Sequence, residues 1–98
     1  MAGTPGDGAL EPPATWTREG DRLWRALETR DFMSAIGLMN EIAMVAEDLG
    51  HHPDLHLTGY RRLRIETYSH DVGTLTERDT ALAERIEHLL TSKGLASA

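Results

Sequence analysis

Between Asp31 and Gly50 apolar residues recur every three or four positions, at Phe32, Ala35, Ile36, Met39, Ile42, Ala43, Ala46 and Leu49. That spacing predicts one amphipathic helix with these residues as its buried stripe. Asp31 suits the N-cap, and Gly50 suits the left-handed position after the last turn. Gly37 sits inside the helix at a cost of roughly 1 kcal/mol against Ala. On either side the period is two. Residues 16–19 and 22–27 read as two short strands around Gly20-Asp21, a pair suited to positive φ. In residues 54–58, Leu55 and Leu57 oppose His56. In residues 60–69, Leu63, Ile65 and Thr67 take one face and Arg62, Arg64, Glu66 and Tyr68 the other. Gly59 between these two strands marks a bend or bulge. After a loop at residues 71–74 a second helix opens at Thr76, where Thr76-Glu77-Arg78-Asp79 has the form of a capping box with Asp in place of Glu. Leu82, Ile86, Leu89 and Leu90 make its stripe, and Lys93-Gly94 ends it.

The elements run ββαββα. The links within each strand pair are too short for a crossover, so the four-stranded sheet is expected to be antiparallel. Helices packed on one face of it make an α+β two-layer sandwich. Residues 1–15 hold three of the nine Gly and three of the four Pro and show neither period. They read as a disordered N-terminal tail, with a domain over residues 16–93 and a short tail at 94–98.

Composition narrows the function. Ten Lys and Arg against 16 Asp and Glu leave a net charge of −6, and Lys93 is the sole lysine. No basic cluster exists to grip a phosphate backbone, so nucleic acid is not an expected partner. Without cysteine there are no disulfides, thiolate metal sites or thiol nucleophiles. No apolar run approaches the roughly 20 residues of a membrane span, and no signal-peptide pattern opens the chain, so a cytoplasmic protein without membrane partners is expected. About 83 residues outside the N-terminal tail make a thin core. Trp24, Ala26 and Tyr68 fall on the uncovered sheet face or at an edge, so a homodimer or homotetramer is expected.

The candidate chemistry lies in the histidines. Of five, four fall within residues 51–70. His51-His52 directly follow the first helix, and Pro53 biases His52 toward an extended conformation. Glu47, four residues before His51, is within reach of its ring if the last turn stays helical. His70 ends the long strand beside Asp71, and Asp79 opens the next helix. A hairpin of the last two strands returns His70 toward the 51–52 corner. Histidines near pKa 6.5 in one pocket supply an acid and a base together. The same residues also serve packing and capping at a helix end. A metal reading takes His51, His52, His56 and His70 with Glu47 or Asp71. Adjacent residues rarely aim both rings at one ion, and no HExxH spacing is present, so no metal is expected. His88, beside Glu84 and Glu87, reads as an exposed helix residue.

The run Glu47-Asp48-Leu49-Gly50-His51-His52-Pro53-Asp54, then Tyr60, nine residues to His70 and eight to Asp79, resembles the signature of the pterin-4a-carbinolamine dehydratase family. Residues 73–79 and the Asp31-Phe32 helix start resemble it too, and the likeness spans roughly residues 16–92. The resemblance implies dehydration of a 4a-hydroxytetrahydropterin to the quinonoid dihydropterin, with no cofactor. That step follows pterin-dependent aromatic hydroxylation, in tetrahydrobiopterin recycling. It implies His51 and His70 as the proton-transfer pair, with His52 holding or polarising the substrate. Pterin contacts are implied at His51, His52 and Pro53 and at Ser69, His70, Asp71 and Val72. Glu47 is implied to orient His51, and Asp79 to brace the loop carrying His70. A non-catalytic dimerisation or assembly partner of the same fold is the alternative. Six residues separate Pro53 from Tyr60 where the family usually has five, which predicts a one-residue bulge near Thr58-Gly59. The Gly/Pro-rich tail replaces a helix that often precedes the first strand.

Overall fold

The computed structural model describes residues 11–69 and 71–95. The N-terminal tail expected at residues 1–15 lies outside these for its first ten residues, and His70 lies outside them as well. Among the described residues six elements follow in order: β1 (Thr17–Glu19), β2 (Arg22–Glu28), α1 (Phe32–Leu49), β3 (Asp54–Thr58), β4 (Arg62–Thr67) and α2 (Glu77–Ser92).

Both hairpins are built by turn chemistry. Glu19 pairs with Arg22, so Gly20-Asp21 is a two-residue loop in which Gly20 carries the positive φ of 62°. The second hairpin differs from expectation. Gly59 and Tyr60 are both left-handed, with φ of 53° and 57°, and the loop spans residues 59–61. Strand β4 therefore begins at Arg62, two residues later than the alternation suggested. β3 pairs with β4 residue for residue, from Asp54 opposite Glu66 to Thr58 opposite Arg62. The extra residue between Pro53 and Tyr60 is absorbed by the turn and not by a bulge in the strand. A slip by one would have turned Leu55 and Leu57 away from the core, so the register is worth keeping.

The sheet order is β1-β2-β4-β3, antiparallel at every pairing. β4 inserts between β2 and β3, and α1 connects those two separated strands. One face of the sheet, through Leu23, Leu27, Leu63 and Ile65, packs with Leu38 and Ile42 of α1 and Leu82, Ile86 and Leu90 of α2 in a single buried cluster. The α+β two-layer sandwich is thus present, with both helices on one face.

The α1 stripe is partly rotated from its predicted position, while α2 buries Leu82, Ile86 and Leu90 and packs Leu89 against the core, as expected. α1 buries Ala35, Leu38, Ile42 and Ala46, while Phe32 is 50% exposed and Ala43 faces solvent. Apolar residues occur almost all round α1, so periodicity alone allowed more than one inward face. Asp31 caps its start by accepting from the Ser34 N–H at 2.8 Å, and Gly50 ends it at φ 65°. α2 carries the full capping box, with Thr76 and Asp79 bonding reciprocally to each other's backbone N–H groups. Trp16 precedes β1 instead of opening it. Its ring is buried, and its Nε1 donates to Glu87 Oε2 at 2.9 Å, which also accepts from the buried Arg25 Nε at 2.8 Å.

Candidate active site

The site grows from the end of α1. Gly50 adopts the left-handed conformation that turns the chain off the helix, and the His51 N–H still bonds back to the Ala46 carbonyl at 3.1 Å. His51 is thereby drawn under the sandwich edge and is 9% exposed. His52, the next residue, is exposed, as is Glu47 one turn back. Pro53 leads directly into edge strand β3.

The His51 ring meets Asp79, with Nε2 and Oδ1 2.7 Å apart. Asp79 is fully buried on the inner side of the first turn of α2. Its Oδ1 also accepts from Thr67 Oγ1 at 2.6 Å, and its Oδ2 accepts from Ser69 Oγ at 2.8 Å and from the Thr76 N–H at 3.0 Å. Burial pushes the Asp79 carboxyl up, but the hydrogen bonds from Thr67, His51, the Thr76 backbone and Ser69 outweigh it. The net result lies below the ordinary value of 3.8, so Asp79 is ionised.

The proton positions follow from that charge. A carboxylate only accepts, so His51 Nε2 carries the hydrogen and, in the neutral ring, Nδ1 holds the lone pair. Ser69 spends its single hydroxyl proton on Asp79. The 2.8 Å contact between Ser69 Oγ and Thr76 Oγ1 is therefore donated by Thr76. His52 Nε2 pairs with Glu47 Oε2, the ring N–H donating because a carboxylate oxygen accepts. Glu47 therefore reaches His52 and not His51, a correction to the expected pairing; His51 is oriented by Asp79. The helix turns His52 outward to Glu47 while Gly50 and the Ala46 bond take His51 inward.

His51, His52, Pro53 and Asp71 line one open cavity of about 400 Å³, together with Gly50, Asp54 and Arg78. Ser69 is buried in the Asp79 network and Val72 stands 56% exposed on the neighbouring loop, and neither lines the cavity. His70 lies outside the described residues, between Ser69 and Asp71. Ser69 bridges to Thr74 across the loop, and the Gly73 N–H bonds to the Ser69 carbonyl at 2.9 Å. Arg78, Thr67 and Thr76 escaped the sequence reading of the site. The signal for Arg78 was its place within the capping box beside Asp79.

Two other places were weighed. A larger concavity of about 660 Å³ lies where Ala26, Glu28, Thr58, Arg62 and Arg64 meet, and none of its lining residues is a histidine. Among the described residues, Asp54, His56 and Glu66 bring ligand-type atoms within 4.8 Å of one another on the outer sheet face. Both carboxylates there already have guanidinium partners: Glu66 faces Arg22 at 3.2 Å and Arg64 at 2.6 Å, and Asp54 faces Arg22 at 3.6 Å. His88 is exposed on α2, as expected.

Comparison with known proteins places this arrangement. Residues 7–89 match the family model described as pterin 4 alpha carbinolamine dehydratase. A relative in Acidobacterium capsulatum that bears the family's name is 43% identical over 75 residues, 76% of this chain and 80% of its own length. The mitochondrial pterin-4-alpha-carbinolamine dehydratase 2 of Arabidopsis thaliana is 37% identical over 84 residues, covering 82% of this chain and 45% of that protein. The crystal structure of a transcriptional coactivator/pterin dehydratase from Brucella melitensis superposes with a TM-score of 0.74 at 27% identity, over 85% of this chain and 89% of that one. With family match, fold and histidine corner in agreement, the chain belongs to the pterin-4a-carbinolamine dehydratase family.

Proposed function

We propose that the protein dehydrates 4a-hydroxytetrahydropterins to quinonoid dihydropterins by histidine acid–base catalysis. The observation that carries the reading is the buried Asp79–His51 pair on a cavity that His52 also lines. Elimination of water requires the C4a–O bond to break, the leaving oxygen to be protonated and the N5 proton to be removed as the C4a=N5 bond forms. His51, held by Asp79 with its lone pair on Nδ1, is assigned the role of base for the N5 proton. Asp79 then stabilises the imidazolium that results. His70 is assigned the acid that protonates the leaving hydroxyl, and His52 the role of holding the substrate, its ring steadied by Glu47. Pro53, Ser69, Asp71 and Val72 remain proposed pterin contacts, Ser69 acting through the Asp79 network. The reaction is balanced by proton transfers alone and takes place in recycling after pterin-dependent hydroxylation.

The test is direct. Freshly generated 4a-carbinolamine is mixed with the protein, and its dehydration is followed by ultraviolet absorbance. The proposal expects acceleration over the buffer rate, and loss of that acceleration in the His51 and His70 variants. Absence of any acceleration at micromolar protein overturns it.

A second reading is a partner role, favoured by the Brucella melitensis relative, whose description names a coactivator as well as a dehydratase. A homodimer or homotetramer is proposed for either role. Both the sheet face without helices and the exposed Met33 and Met44 on α1 leave surface for a second copy.

A further inference from the structure

Arg78 lines the same cavity as His51, His52 and Pro53, at the start of α2. Two of its hydrogen bonds are spent within the protein: Nη2 donates to Asp71 Oδ1 at 2.6 Å, and Nε to Thr76 Oγ1 at 3.3 Å. Thr76 donates onward to Ser69, and Ser69 to Asp79, which accepts from His51. One run of hydrogen bonds therefore joins the guanidinium to the ring assigned as base. The remaining donors are the informative part. The Nη1 amino group of Arg78 has no partner among the described residues. The single ring N–H groups of neutral His51 and His52 are each engaged by a carboxylate, and the lining Asp54 and Asp71 side chains only accept. Among the described lining side chains, Arg78 alone has N–H donors left to offer a ligand.

A heterocycle bound here that carries a ring oxo group needs such a donor, because an unmatched carbonyl loses its water on entry without replacement. We propose that Arg78 is the positioning residue of this site, donating to the ring carbonyl of an oxo-pyrimidine such as the pterin 4-oxo group while Asp71 holds the guanidinium in place. The inference rests on the reading of the cavity as a pterin site. It adds the contact that fixes which way round the ring lies, and so which atoms face the histidines. In this assignment Asp71 holds the guanidinium, besides lining the cavity as a proposed pterin contact. Its carboxyl lies below the ordinary range because of the Arg78 hydrogen bond, so the pair stays charged across neutral pH.

The experiment measures calorimetric affinity for two stable probes, a 4-oxo tetrahydropterin and its 2,4-diamino counterpart, alongside turnover of the carbinolamine. Wild type should prefer the oxo ligand. Arg78→Gln should weaken the oxo ligand about tenfold while leaving the diamino ligand unchanged, and should raise KM and lower kcat together, because a ring bound the wrong way round presents the wrong atoms to the histidines. Arg78→Lys should recover part of the loss, because one donor returns without the planar fork. Asp71→Asn should shift in the same direction by less. Arg78 is exposed on the surface, and thermal melts of each variant confirm the fold. Equal weakening of both probes marks Arg78 as a loop clamp only and overturns the inference, as do unchanged affinities in Arg78→Gln or a wild type without oxo preference. The dehydratase reading is judged separately by wild-type turnover: a protein that discriminates the probes but dehydrates nothing retains the Arg78 assignment and loses the proposed activity.

Discussion

His51 combines two roles that sequence reasoning had separated. Its position just after a helix suited either proton transfer or packing, and in the fold it is 9% exposed and also holds one oxygen of a buried carboxylate. His51→Ala should therefore lose about 1–3 kcal/mol of stability in denaturant unfolding, because Asp79 is left short of a donor. Dehydration should fall by about 10²–10⁴ in both His51→Gln and His70→Ala, as for loss of a general acid or base. His88→Ala, on the exposed side of α2, should match wild type. Rates within threefold of wild type in both site variants would remove these residues from the mechanism.

The same carboxylate sets a pH dependence. The native pKa of Asp79 is depressed below its ordinary value of 3.8. Its contribution is therefore complete above about pH 4, the unfolded value, and is lost as pH falls through the lower native value. Acid unfolding of wild type should be steeper below pH 4 than that of Asp79→Asn, which lacks the titrating group. Equal slopes would show that Asp79 is not stabilised as an anion. Thr67 was legible in sequence only as a strand residue, and Ser69 as a strand end implied to contact the pterin. That their hydroxyls converge on Asp79 was not, since the three come from β4, the segment after it and α2.

At the scale of elements, the end of α1 positions the chemistry. Gly50 stands at φ 65° with open space where a Cβ would lie, so Gly50→Ala is strained by its backbone conformation and not by a clash. A cost of about 1 kcal/mol in urea unfolding is expected. Turnover should fall with it, because His51 leaves the backbone at the next residue; wild-type turnover in a destabilised Gly50→Ala protein would show that the corner tolerates displacement. Helix caps and the Gly20 turn were readable because their signals are local. The inward face of α1 was not, because Phe32, Ala43 and Met44 are as apolar as the residues that are buried. The Gly59-Tyr60 turn was misplaced for a related reason: Tyr60 is a good strand residue by propensity, and only pairing with β4 reveals its left-handed conformation.

For the whole molecule, the outer sheet face is laid out as paired charge and ring. Arg64 stacks over Trp24 at 4.1 Å and Arg22 over Tyr68 at 4.4 Å, while Glu66 lies within ion-pair distance of both guanidiniums. This covers part of the apolar surface expected to seek a partner. α1 leaves more, with Met33 at 74% and Met44 at 72% exposure. Light scattering at micromolar concentration should return two or four times the 10.9 kDa chain mass. A monomer with a cooperative melt would show that the single core suffices.

What the amino-acid order determined by itself was everything carried by short-range rules: the element sequence, the antiparallel hairpins, both helix caps, and a histidine corner whose spacing to His70 and Asp79 resembles one family. What only the tertiary structure decided was which distant groups meet. The insertion of β4 between β2 and β3, the partnership of His51 with Asp79 in place of Glu47, and the seat of Arg78 on the cavity all join residues far apart in the chain. Local propensity contains no term for such meetings. They follow from burying one apolar face of each element in a common core, which brings the polar groups at the element ends together and requires each buried one to find a partner.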